Sequence, residues 1–487
     1  MIPSRLRFLS NEEIERIYTA GLEVLQTCGV KSFHDGLIEL FDNSGLEVDK
    51  DKKIAKIDEG TVKESLKKAP KEVKLYTLDG KRSLDLSGDN VYFVPGSMGI
   101  KLIEGKKART PTLKDAAEFV KLTETLENID LNTAPLYPGD VPPIIFDRYR
   151  VYISLKYSNK PFWGGAFSDD GPVDMWRMIV AVLGDEEEAK KRPRWAMSAC
   201  PSPPLKWSKT IAQNLIDAAR RSVPVWFVSM PQTGATSPAT IASAIVLHTA
   251  ETLSGIVITQ LVNPGAPVIY GGSPIAFDLK TGYVALGSVE TTLISCGYAE
   301  IGKYLGLPTH GYVGCSDSKT VDAQAGLETG LNSAIAAAAR INVIASAGML
   351  ESESGQSFEK LVIDNDILGQ IRRLLSGINA SEEALQLDII KRVGAGGDYT
   401  KDSTALRAAL KWFAREYLLP TVIDRKDRKA WEEDGSKDIV ERARELMKKR
   451  LAEYEPPRIV TPDVDKQLIS IIREAAKRYG VEAPEPP

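Results

Sequence analysis

Histidine is scarce: only His34, His248 and His310 occur in 487 residues, which disfavours a multi-histidine metal site. Cysteine is almost as rare. Cys28, Cys200, Cys296 and Cys315 lie far apart with no CxxC pair, so neither a disulfide framework nor a zinc knuckle is indicated, and a reducing cytoplasm is expected. No stretch reaches the roughly 18 unbroken apolar residues of a membrane span, and "MIPSRLRFLSNEEIERIY" at the N-terminus has no signal-peptide core. Neither membrane insertion nor export is expected. Basic residues are not in excess: 62 Lys and Arg against 66 Asp and Glu leave a net charge of −4, without the basic face that nucleic acid requires. A GxGxxG after the first strand-like run is also missing, which disfavours a dinucleotide-binding sheet.

What is present is globular. Hydrophobic residues at 43% and charged residues at 26% sit near the averages for folded domains. The length suits three average domains or one α/β barrel with extensions. Ser10 with Glu13, and Thr112 with Asp115, form capping boxes ahead of amphipathic helices; the first helix carries Ile14, Ile17, Tyr18, Leu22 and Leu25 at helical spacing. "NVYFVPGSMGIKLIEGKKART" alternates and turns like a hairpin. Buried-looking runs then recur between helix-length segments: "IDLNTAP", "KPFWGGAFS", "RWAMSACPSPP", "VPVWFVSMPQTG", "APVIYGGSPIAF", "PTHGYVGCSDS", "INVIASAGMLES" and a weaker "EKLVID". Continuous apolar strands alternating with helices describe a parallel sheet covered on both faces, and eight units close into a (β/α)8 TIM barrel. The expected organisation is an N-terminal helical and hairpin extension over 1–126, the barrel over 127–380, and a C-terminal helical extension over 381–487 ending in a weakly packed polar tail.

A barrel carries its active site at the C-terminal ends of its strands. Those ends hold aromatics beside small residues, among them Phe162-Trp163-Gly164-Gly165, Phe167, Tyr270-Gly271-Gly272, Phe277 and His310-Gly311-Tyr312. Aromatic faces hold a quaternary ammonium by cation–π attraction, about 0.5 to 2 kcal/mol per ring. Any one of these rings reads first as core; the clustering suggests a cage. Carboxylates are sparser, with Asp278, Asp317, Glu351 and Glu353 the candidates. His310, Asp317 and Glu351 are assigned catalytic positions, and Tyr92, Trp163, Phe167, Tyr270, Phe277, Tyr312 and Gln324 substrate contacts. Asp317 reads equally as a helix cap, His310 as a satisfied buried histidine, and Gln324 with Glu328 as a solvated helix face.

The stretches "GYVGCSDSKTVDAQAGLETG", "ASAGMLESESGQSFEKLVIDNDI", "VIYGGSPIAFDLKTGYVALGSVE" and "EYLLPTVIDRKDRKAWEEDG" resemble the trimethylamine methyltransferase superfamily, from about Phe8 to Leu451. The resemblance implies a barrel that moves a methyl group from an amine to the cobalt of a corrinoid carried by a partner protein, with no metal bound by this chain. It also places the loop Asp317–Gly326 beside the amine; a homo-oligomer is expected. Trimethylamine enzymes of that family carry pyrrolysine, whereas this sequence has only standard residues. It therefore resembles the members that act on quaternary amines, with glycine betaine favoured. Where relatives show histidines after a Gly-Gly pair, this chain reads "GAGGDYTKDSTALRA", so the role of those histidines is either absent or taken by Tyr399 and Asp402.

A quaternary ammonium departs as a neutral tertiary amine, so no general acid is required and catalysis reduces to positioning. A methyl-transfer rate nearly flat between about pH 6 and 8 is expected on that ground. Two alternatives stand beside it: a quaternary-amine-binding barrel without turnover, and a zinc-dependent corrinoid methyltransferase using His310 and Cys315.

Overall fold

The computed structural model describes residues 5–487; the first four residues of the N-terminal extension lie outside the described residues. Seven parallel strands form the central sheet, in spatial order Tyr92–Pro95, Val343–Ala347, Thr309–Tyr312, Val268–Gly272, Val225–Phe227, Trp195–Ala199 and Phe162–Trp163. Residues 130–132 close the ring. The Asp130 N–H donates to the Phe93 carbonyl at 2.8 Å, Asn132 to Pro161 at 2.9 Å, and Trp163 back to Asn132 at 2.9 Å. The chain is thus a (β/α)8 barrel.

Two strand assignments change. "EKLVID" lies inside the helix Phe358–Leu375, where Ser357 caps the first turn and Lys360 and Asp364, one turn apart and buried, pair at 2.6 Å. An (i, i+4) ion pair forms along a helix, because residues four apart are neighbours there. The missing strand is Tyr92–Pro95, which pairs in parallel with Val343–Ala347 although its sequence reads as half of a hairpin. The hairpin itself follows, as Lys101–Glu104 with Lys107–Arg109. It joins Met349–Leu350 and Gly355–Gln356 in a small sheet, built from the segments that leave the first and last barrel strands at their C-terminal ends.

Alternate strand residues point inward, as period-two geometry requires. Val94, Trp163, Ala196, Trp226, Ile269, Tyr312 and Val343 fill the barrel as one cluster. The larger apolar layer lies between strands and helices. Its centre is the helix Ile241–Val262, the one helix among the described residues long and apolar enough to cross a membrane; 72% of that stretch is buried, against helices Asn11–Thr27, Glu59–Lys68, Lys209–Arg220 and Val289–Tyr304. Both capping boxes form. The polar tail, read as weakly packed, instead contains the helix Pro462–Tyr479, with Leu468, Ile471, Ile472, Ala475 and Ala476 buried. Pro462 sits in its first turn, where the missing N–H costs nothing.

Candidate active site

At the C-terminal ends of the strands a cavity of about 250 Å³ is lined by Ser97, Met98, Arg150, Gly165, Ala166, Phe167, Ser198, Cys200, Ile211, Val228, Met230, Tyr312 and Glu353. It is small for a ligand pocket and mostly apolar, with few polar groups. Among these lining residues Glu353 is the single carboxylate.

Glu353 is carried on an unusual turn. Glu351, Ser352 and Glu353 have φ of 52°, 50° and 73°, three successive left-handed residues, none of them glycine. Each costs energy and persists only when its surroundings over-determine it. The bracing comes from the loop after Thr309–Tyr312. The Glu351 N–H donates to the Ser318 carbonyl at 2.9 Å and that of Ser352 to Ser316 at 3.1 Å. The Ser352 hydroxyl donates to Asp317 Oδ1 at 2.5 Å, and the same oxygen accepts the Gly287 N–H at 3.0 Å. Glu328 anchors the brace through the Ser316 hydroxyl at 2.6 Å and the Asp317 N–H at 2.8 Å. The segment "CSDSK" is therefore a clamp on the turn that presents Glu353.

Burial pushes the Glu353 carboxyl up to about 7, opposed weakly by the Ser273 hydroxyl, which donates across 3.4 Å. Glu251 is raised to about 7 by the same cause, yet Leu205 and Ser229 bond both its oxygens at 2.8 and 2.6 Å. Glu251 is a structural acid; Glu353 faces the cavity. Tyr312 is buried against Trp163 at 5.4 Å. Burial raises its phenol well above the usual value, with Glu353 adding to the shift and Arg150 opposing it.

Of the residues singled out in the sequence, Phe167, Tyr312, Glu353 and Gly165 line the cavity. The others fall elsewhere. Tyr92 begins its strand, at the far end of the barrel, and its hydroxyl accepts from the Asp85 N–H. Trp163 stacks on Trp226 inside the barrel at 4.5 Å. Tyr270 points outward, its hydroxyl donating to Thr249 at 3.1 Å. Phe277 belongs to the hairpin with Tyr283–Ala285, and Gln324 is exposed, donating to Glu328 at 2.9 Å. His310 lies below the mouth. Its Nε2–H donates to the Phe227 carbonyl at 2.5 Å, and burial drives its pKa well below the ordinary value, so the ring is neutral. Gly271 makes room for it, since a Cβ there would lie 2.3 Å from the imidazole.

Asp317 does not cap the following helix; Asp322 does. Glu351 pairs with Lys101 at 2.9 Å. Asp278 closes its own hairpin turn on Lys280 and Thr281. Asp402 caps the helix Ser403–Glu416, and Tyr399 is exposed. Cys315, the zinc candidate beside His310, meets Met349 at 3.9 Å, and burial holds its thiol well above the usual pKa. Among the described residues no group of three or more His, Cys, Asp or Glu converges to hold a metal ion.

Because Trp163 is core, Trp163→Ala should destabilise the fold by about 3 to 5 kcal/mol before it says anything about ligands. Thermal unfolding checks this: an unchanged melting temperature would place Trp163 outside the core.

The model of one family, trimethylamine methyltransferase (MTTB), matches residues 2–479. The chain belongs to that family. Its relatives include MttB of Methanosarcina thermophila, 35% identical over 90% of this chain and 92% of that one, and MttB of Desulfitobacterium hafniense, 31% identical over 97% and 94%. A protein named glycine betaine methyltransferase, also from Desulfitobacterium hafniense, is 29% identical over 98% and 99%. The solved monomethylamine methyltransferase of Methanosarcina barkeri shares the fold, with a TM-score of 0.53 at 12% identity over 93% of this chain and 89% of that one. As a member of the trimethylamine methyltransferase family, the chain is a methyltransferase.

Proposed function

We propose that this methyltransferase takes a methyl group from a quaternary amine, glycine betaine first among them, and delivers it to the Co(I) corrinoid of a separate partner protein, releasing a tertiary amine. The observation that carries the reading is the cavity: small, mostly apolar, and lined by one carboxylate, Glu353, with only a long hydrogen bond from Ser273. A permanent cation fits it. The apolar walls replace water around the methyl groups, Phe167 and Tyr312 offer ring faces, and Glu353 pairs with the charge. The near full-length likeness to a protein named glycine betaine methyltransferase and the absence of any non-standard residue point the same way.

The acceptor is a co-substrate whose cobalt supplies the nucleophile when the partner docks. This chain's residues bind the amine, aim one methyl outward and exclude water. Such positioning is worth much of the barrier, and the quaternary nitrogen needs no proton to leave.

Mixing the protein with cob(I)alamin and a panel of amines tests this spectrally. Quaternary amines should yield methylcobalamin, and trimethylamine should not; equal rates from trimethylamine would remove the quaternary assignment.

The flat pH profile expected from the sequence now divides in two. In the free enzyme Glu353 titrates near 7, and below that pH the bound cation must displace a proton. Affinity should fall by up to about tenfold per pH unit below 7, so kcat/KM rises between about pH 6 and 8. In the complex the cation holds Glu353 ionised, so kcat stays flat. Steady-state profiles with a saturating acceptor check both limbs, and a flat kcat/KM would remove Glu353 from the site.

A further inference from the structure

The helix Phe146–Tyr157 carries two buried arginines with opposite circumstances. Arg148 is fully neutralised, meeting Asp147 at 2.7 Å, Asp170 at 2.8 Å and Asp174 at 2.9 Å. Arg150, two residues on, forms no ion pair among the described residues. One of its terminal nitrogens donates to the Ser97 hydroxyl at 3.1 Å and the Thr133 carbonyl at 2.7 Å, while its Nε is buried with no partner among the described residues. Asp147, three residues before it, supports the Arg150 charge only from a distance, its oxygens being committed to Arg148 and to the Phe167 N–H.

A buried guanidinium without a counter-charge is costly and is retained where something supplies the charge. Arg150 lines the cavity, together with Ser97 and Ser198. The space around it is built: a Cβ on Gly164 would press to 3.2 Å from the guanidinium carbon, so glycine there lets the fork sit against the strand end. Among the described residues neither Arg150 nor Glu353 forms an ion pair, and both line the same cavity, presenting one charge of each sign.

We infer that Arg150 is the specificity-determining anchor for a carboxylate on the substrate, so that the cavity selects a zwitterion, with its ammonium at Glu353 and its carboxylate on the Arg150 fork, over quaternary amines that lack an acid group. This rests on the amine reading above for one end of the ligand only. With one terminal nitrogen held by Ser97 and Thr133, the guanidinium is fixed in place and its other terminal nitrogen is left to donate a charge-assisted hydrogen bond to a carboxylate; a ligand without that group leaves the buried charge uncompensated.

Calorimetric titration of the purified chain with glycine betaine, choline, tetramethylammonium and 3,3-dimethylbutanoate, the uncharged-carbon analogue of betaine, tests it. Wild type should bind betaine at least about tenfold more tightly than choline or tetramethylammonium, and should bind dimethylbutanoate measurably. Arg150→Gln should weaken betaine at least about thirtyfold and abolish dimethylbutanoate binding, while choline changes less than about threefold; Arg150→Lys should recover part of the betaine affinity. If Arg150→Gln does not fold, the wild-type ligand order and Arg150→Lys still decide. Choline binding wild type as tightly as betaine, or betaine binding unchanged in Arg150→Gln, would overturn the anchor. Dimethylbutanoate binding through Arg150 with no methyl transfer from any amine would reject the amine reading and leave the anchor standing.

Discussion

Replacing Glu353 by Gln is expected to raise KM for a quaternary amine by about 30-fold to 1,000-fold while kcat changes by less than about tenfold. The split follows from where the charge goes. The ammonium is most positive in the ground state and loses charge as the carbon–nitrogen bond breaks, so a carboxylate beside it favours the bound substrate at least as much as the transition state. An interaction of that kind lowers KM and does not raise kcat. Its size is that of a charge losing its partner in a largely apolar site, about 2 to 4 kcal/mol. Gln keeps the shape of the side chain, and Glu353 makes only one long hydrogen bond, so the fold should be nearly unaffected. Initial-rate measurements against amine concentration give both constants. A fall in kcat with KM unchanged would assign Glu353 to the chemical step instead.

Asp317→Ala should lower kcat/KM by about 100-fold while costing less than about 2 kcal/mol of stability. Asp317 touches no cavity wall; it holds the Ser352 hydroxyl and the Gly287 N–H on one oxygen. Without it, the turn with three left-handed residues is free to relax toward commoner angles, and Glu353 leaves its place. Loss of the rise in kcat/KM through pH 7 should accompany the loss of rate, which a merely local destabilisation does not produce. Melting temperature, kinetics and pH profile on the one variant separate the cases: a lowered melting temperature with normal turnover per folded molecule would make Asp317 structural only.

How far the sequence carried these conclusions depends on the range of the forces involved. Capping boxes at Ser10 and Thr112 were legible because a cap is a local bond, complete within four residues. Most barrel strands were legible because strands buried on both faces read as continuous apolar runs. "EKLVID" was not, since a short apolar run gives the same composition in helix and strand; the Lys360–Asp364 spacing was the signal that could have decided it. The strand Tyr92–Pro95 was hidden because its partner, Val343–Ala347, lies about 250 residues away.

The site was half legible. Proximity to a strand end singled out Tyr312 and Phe167, which line the cavity, but it cannot tell an inward ring that reaches the mouth from one that packs deeper, as Trp163 does, or from an outward one such as Tyr270. Glu351 and Glu353 were both candidates. Which one faces the cavity is set by the backbone angles of the turn, imposed from another loop. Arg150 gave no signal: on a helix, an arginine reads as a solvated side chain, and its lack of a partner is visible only once Arg148 is seen to take the neighbouring acids.

The most direct measurement is a single turnover of the purified chain with cob(I)alamin and glycine betaine labelled with carbon-13 in its N-methyl groups, followed by nuclear magnetic resonance. Methyl transfer from the quaternary nitrogen predicts one labelled methyl on cobalt for each dimethylglycine released, with the yield suppressed in Glu353→Gln at subsaturating betaine and restored at high betaine. Dimethylglycine without methylcobalt, or no label on cobalt from any quaternary amine, would contradict it.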